Sequence, residues 1–113
     1  MSTISTHILD TSRGVAAARV HVMLERETHK EEWAALADAF TDADGRIKSL
    51  VPHGTVEPGT YRLTFETGAY WEALGIASFH PLIEVLFTIT DAAKHHHVPL
   101  LVSPFGYTTY RGT

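Results

Sequence analysis

Three stretches of alternation fix what this chain can become. Tyr61, Leu63 and Phe65 alternate with Arg62, Thr64 and Glu66. Ile83, Val85, Phe87 and Ile89 are apolar, with Glu84, Thr88 and Thr90 between or beside them. Ala18, Val20, Val22 and Leu24 alternate with Arg19, His21, Met23 and Glu25. A period of two puts successive side chains on opposite faces of a strand, so each stretch is a strand with one buried face. Turn residues punctuate them: Asp10-Thr11-Ser12-Arg13-Gly14, Asp42-Ala43-Asp44-Gly45, Pro52-His53-Gly54 and Glu57-Pro58-Gly59. Short strands at this spacing predict a β-sandwich or barrel.

The remaining segments fit that plan unevenly. Ser2 to Leu9 is short and mixed and contains His7. Arg46 to Leu50 reads as a short strand after a turn. Val98 to Val102 is an apolar run broken by Pro99, read as a buried strand. Ser103 to Gly106 is turn chemistry, and Tyr107 to Tyr110 suits a second strand, closing a hairpin. Ala69 to Leu74 suits a short helix stopped by Gly75. Thr28 to Thr41 is ambiguous. Thr28 with Glu31 forms a capping box, and Trp33, Leu36, Ala37 and Phe40 keep helical spacing, yet Trp33 to Thr41 also forms a two-faced strand.

Composition limits the function classes. The 113 residues suit a single domain with a real core, spanning 1–113. A net charge of −4 without a basic cluster argues against an electrostatic grip on nucleic acid. The absence of cysteine excludes disulfides, thiolate catalysis and cysteine zinc sites. No apolar run approaches membrane-spanning length, and Met1-Ser2-Thr3-Ile4 carries no signal-peptide pattern, so the expected compartment is the cytoplasm.

Histidines and arginines carry the candidate chemistry. In an extended segment His95 and His97 share one face and His96 takes the other. Such a His-x-His pair suits zinc, although no carboxylate or cysteine companion stands at short spacing; it equally suits a general base at a sheet edge. His7 reads alone as a structural histidine. Arg46 and Arg111 read alone as solvated charges. Gathered with two histidines at one site, they would suit a planar, oxygen-rich anion held by bidentate hydrogen bonds. The tyrosines at 107 and 110 read as hairpin packing.

Three motifs together resemble the 5-hydroxyisourate hydrolases, the transthyretin-related enzymes of urate breakdown. They are Ser5-Thr6-His7-Ile8-Leu9-Asp10-Thr11-Ser12-Arg13-Gly14, Thr41-Asp42-Ala43-Asp44-Gly45-Arg46, and the closing Tyr110-Arg111-Gly112-Thr113. The last departs from the usual family ending in Thr113 for Ser, which keeps the hydroxyl and adds a methyl. His96 stands where an aromatic residue is common. The resemblance implies an all-β, transthyretin-like sandwich of two antiparallel sheets with one short helix. It implies a homotetramer with active sites in clefts between dimers, built from neighbouring subunits. It makes Trp33 to Thr41 a strand and Ala69 to Leu74 the helix. It implies His7, Arg46 and His97 as the catalytic group, with His97 preferred to His95. Tyr110, Arg111, Gly112 and Thr113 then complete the substrate pocket, the last through a hydroxyl and a chain terminus expected to be part of it. The implied reaction is hydrolysis of 5-hydroxyisourate to 2-oxo-4-hydroxy-4-carboxy-5-ureidoimidazoline, without metal or other cofactor. The alternative is a transthyretin-type carrier that holds a small hydrophobic ligand in the channel between dimers. The polar, titratable residues favour the enzyme over such a carrier.

Overall fold

The computed structural model describes residues 2–113. Nine strands and one helix follow in the order β1 (Ile4–Asp10), β2 (Val15–Ala16), β3 (His21–His29), β4 (Glu32–Phe40), β5 (Arg46–Ile47), β6 (Gly59–Phe65), α1 (Thr67–Ala73), β7 (Ile83–Ile89), β8 (His96–Ser103) and β9 (Gly106–Thr109). They form two sheets. One runs β4-β3-β6-β7; the other runs β2-β1-β8-β9, with β5 also paired to β1. No helix is long and apolar enough to cross a membrane among the described residues.

The alternating stretches become the core. Val20, Val22 and Leu24 turn inward, as do Tyr61, Leu63 and Phe65, and Ile83, Val85 and Ile89. Ile4, Ile8, Val98, Leu100 and Val102 meet them from the other sheet. Trp71 plugs the layer from α1. Burial of each large apolar side chain contributes about 1.5–3 kcal/mol, which makes the alternation the main source of stability.

One ambiguity is decided in favour of the expected strand, and three expectations are corrected in detail. The capping box at Thr28 does not start a helix: residues 21–29 and 32–40 form an antiparallel hairpin, and Glu31 takes φ 63° at its turn. Cross-strand pairing with β3 overrides the local helical signal there. The helix spans Thr67–Ala73 rather than residues 69–74, and Gly75 follows it with φ 70°. The strand expected over residues 46–50 stops at Ile47. Finally, only one sheet is wholly antiparallel, because β1 and β8 run parallel, with Ser5 opposite His97 and His7 opposite Pro99.

Candidate active site

Strand alternation decides which side chains of β1 can do chemistry. Ile4, Thr6, Ile8 and Asp10 face inward and are buried, so Ser5, His7 and Leu9 face outward. In β8 the inward positions are His96, Val98, Leu100 and Val102, which turns His97 outward. β5 lies antiparallel on β1 with Arg46 opposite His7 and Ile47 buried beneath. The outer face of this sheet therefore gathers His7, Arg46 and His97 from three strands.

A tight turn delivers Arg46. Asp42 Oδ1 accepts hydrogen bonds from the backbone N–H of Asp44 (2.9 Å) and of Arg46 (3.0 Å). Those amides, the Arg46 one foremost, hold the Asp42 carboxyl below its ordinary value. Gly45 adopts φ 74° in this turn, and a Cβ there would collide with the Ile8 carbonyl. The turn also anchors His7, whose Nε2 donates to the Asp44 carbonyl at 2.9 Å. A carbonyl only accepts, so the neutral His7 ring keeps its lone pair on Nδ1.

His97 is held from behind. Its Nδ1 lies 2.7 Å from Ser5 Oγ, and the same hydroxyl lies 2.8 Å from His95 Nε2. Burial lowers the His97 pKa, and the positive charges of Arg46, His7 and His95 lower it further. The ring is thus kept neutral and able to accept a proton near neutrality. Gly112 closes over it. Its N–H donates to the His97 carbonyl at 2.8 Å, and a Cβ at 112 would stand 2.6 Å from His97 Cδ2.

Ser5, Arg46, Lys48, His95, His97 and Thr113 line a cavity of about 320 Å³ on this outer face. Of the residues singled out in the sequence, Arg46, His97 and Thr113 line it, His7 lies beside Arg46 on the same face, and Gly112 packs on His97. Tyr110 and Arg111 do not. They line a separate cavity of about 300 Å³ between β7 of one sheet and β8–β9 of the other, with His96 and His97 on its wall. His96 is buried, and its Nδ1 donates to the Lys94 carbonyl at 3.0 Å. Ser5 went unnoticed in the sequence, although its spacing of two from His7 places both on one strand face. Lys48 was also missed. Among the described residues, no three His, Asp or Glu side chains gather as a metal-binding group.

A second polar cluster is structural. The Asp10 carboxylate is inaccessible and accepts hydrogen bonds from Ser12 Oγ (2.6 Å), Arg13 Nε (2.9 Å) and Tyr70 Oη (2.8 Å). Burial alone would raise its pKa, but these donors outweigh it and hold the group below its ordinary value. The cluster ties the β1–β2 turn to α1.

Two four-to-five-stranded sheets with a histidine–arginine group on one outer face define a transthyretin-type sandwich carrying a polar site. The chain belongs to the HIUase/Transthyretin family, whose model matches residues 4–112. It is 44% identical to mouse (Mus musculus) 5-hydroxyisourate hydrolase over 113 residues, covering 99% of this chain and 96% of that protein. It is 46% identical to the 5-hydroxyisourate hydrolase of Salmonella typhimurium, covering 97% of this chain and 80% of that protein. Among solved structures, Klebsiella pneumoniae 5-hydroxyisourate hydrolase superposes with a TM-score of 0.86 at 41% identity, covering 99% of this chain and all (100%) of that one. Sea bream transthyretin in complex with thyroxine superposes with a TM-score of 0.91 at 34% identity, covering 97% and 94%. Backbone likeness is thus no smaller to a transthyretin in complex with thyroxine than to a 5-hydroxyisourate hydrolase. The fold does not separate the two; the side chains at the site must.

Proposed function

We propose that the chain is a 5-hydroxyisourate hydrolase, opening the six-membered ring of 5-hydroxyisourate to give 2-oxo-4-hydroxy-4-carboxy-5-ureidoimidazoline. The observation that carries this reading is the gathering of His7, Arg46 and His97 on one outer sheet face, with Arg46 and His97 on the wall of its cavity. The higher identity to named hydrolases supports it. A carrier of a hydrophobic ligand would line such a cavity with apolar groups instead.

In the proposed mechanism His97 is the general base. Its Nε2 takes a proton from water as the water oxygen attacks a ring carbonyl carbon, a service worth roughly 10²–10⁴ in rate. Arg46 binds the substrate and stabilises the charge that develops on the carbonyl oxygen. The C–N bond then breaks, and the leaving nitrogen takes the proton back from His97. His7, fixed by the Asp44 carbonyl, orients water or substrate through its Nδ1 lone pair. Gly112 and Thr113 wall the pocket. No step calls on a metal or other cofactor.

The same reading makes the assembly a homotetramer. β7 and β9 are free sheet edges, and Leu86, Phe105, Tyr107 and Tyr110 are exposed along or beside them. Free edges with apolar side chains favour pairing with a second copy. Tyr110 and Arg111 then serve the substrate across a subunit boundary, since within one chain they line the other cavity.

The deciding assay follows the absorbance of freshly generated 5-hydroxyisourate, with spontaneous decay subtracted. Enzyme-dependent decay, lost in His97→Ala and Arg46→Ala, is the expected result. Decay at the spontaneous rate together with saturable thyroxine binding would replace this reading by the carrier.

A further inference from the structure

The Ser5 hydroxyl presents a bookkeeping problem of protons. It stands within hydrogen-bond distance of two imidazole nitrogens, His97 Nδ1 at 2.7 Å and His95 Nε2 at 2.8 Å. A hydroxyl has one hydrogen, so it donates to one ring and accepts from the other. The chain of three groups therefore has a direction. For His97 Nε2 to accept a proton, its Nδ1 must carry the hydrogen and donate to Ser5 Oγ. Ser5 must then donate to His95 Nε2, which holds a lone pair. Ser5 is buried at the cavity wall, whereas His95 is exposed.

We propose that Ser5 and His95 form a proton relay behind His97, which moves the charge gained at the base out to the exposed ring and returns it for the second step. This rests on the reading of His97 as general base. The transfer balances. Water gives a proton to His97 Nε2, and its oxygen bonds to the ring carbonyl carbon. The hydrogen on His97 Nδ1 passes to Ser5 Oγ as the Ser5 hydrogen passes to His95 Nε2. His97 is then neutral with its hydrogen on Nε2, and His95 carries the positive charge. When the C–N bond breaks, Nε2 gives its proton to the leaving nitrogen and both transfers reverse. All three groups end as they began.

Electrostatics favours this direction. His97 faces Arg46 and, across the strands, His7 and His95, with Lys48 on the cavity wall. A charge left on His97 sits partly buried among cations. A charge on His95 sits in solvent, where screening reduces the repulsion. Ser5 and His95 are positioning residues, since they act through His97.

The test compares Ser5→Ala, His95→Gln and His97→Ala in the full chain. The readouts are kcat, KM and the ¹⁵N shifts of the His97 ring, and thermal melting controls for folding. Gln offers an oxygen that accepts the Ser5 hydrogen but takes up no proton. It keeps the His97 tautomer and cuts only the relay. The expected result is a kcat loss of about 10–100-fold in both Ser5→Ala and His95→Gln with KM little changed. His95→Gln is expected to keep the native His97 ¹⁵N pattern. Loss in Ser5→Ala with native kcat in His95→Gln would overturn the relay and leave Ser5 as a simple orienting group. Native kcat in both, with His97→Ala inactive, would overturn the relay and spare the base. Native kcat in His97→Ala would overturn the base itself. His95 lies outside the core, so its variant decides the matter even if Ser5→Ala folds poorly.

Discussion

Replacing Gly112 by alanine should strike the His97 ring while sparing the fold. The new Cβ would stand 2.6 Å from His97 Cδ2 and 3.2 Å from both Cγ and the His97 carbonyl oxygen. Carbon atoms in ordinary contact sit about 3.5–4.0 Å apart, so the ring must retreat by roughly 1 Å. The backbone cannot yield easily, because the Gly112 N–H is bonded to the His97 carbonyl at 2.8 Å. A retreat of that size displaces Nδ1 from its 2.7 Å contact with Ser5 and moves Nε2 off its position. Misplacement by about 1 Å can cost 10²-fold in rate, which is the expected fall in kcat. The stability loss should be only about 1 kcal/mol, the worth of one bridging hydrogen bond. Decay of fresh 5-hydroxyisourate gives the rate, and urea denaturation gives the stability. A Gly112→Ala protein within about twofold of native kcat would refute the steric argument.

Other outcomes follow from the same geometry. The catalysed rate should fall as pH drops through a midpoint below 6.5, because burial first, then Arg46, His7 and His95, lower the His97 pKa; a midpoint above 6.5 in a pH–rate profile would contradict this. The sign for stability is the same: from pH 6.5 downward the unfolded chain takes up this proton more readily than the folded one, so stability drains until the folded pKa is passed. Asp10→Ala should lower stability by about 1–3 kcal/mol, measured by urea midpoint, because it strands the Ser12, Arg13 and Tyr70 donors. His96→Ala should keep kcat per folded molecule yet lower stability by about 1 kcal/mol, since the ring is buried and bonded to Lys94 on the inner face. Equal loss of activity in His96→Ala and His97→Ala would mean the two rings share one face.

What the sequence disclosed depended on the range of each physical signal. Alternation is local, so β3, β6 and β7 were readable from their residues alone. The face assignment of His95, His96 and His97 followed from the same rule and holds in β8 and the segment just before it. The β4 strand was not readable locally, since Trp33, Leu36, Ala37 and Phe40 satisfy helical spacing and only the pairing to β3 decides. Register between distant strands leaves no local trace, and so neither the parallel β1–β8 pairing nor the Ser5 bridge could be read. Tyr110 and Arg111 were grouped with His7, Arg46 and His97 by motif, whereas within one chain they share a second cavity with His97 and not the one that Arg46 lines.

The parallel pairing of β1 with β8 also sets a clock on synthesis. Ser5 and His97 are 92 positions apart, so β1 leaves the ribosome long before its partner exists. At about 5–20 residues per second the wait is roughly 5–20 s. During that interval the backbone of β1 has no β8 to pair with, and that edge stays open to any other strand, including one on a neighbouring nascent chain. The segment that carries His7 and Ser5 is therefore the part of the molecule most in need of protection while it is being made.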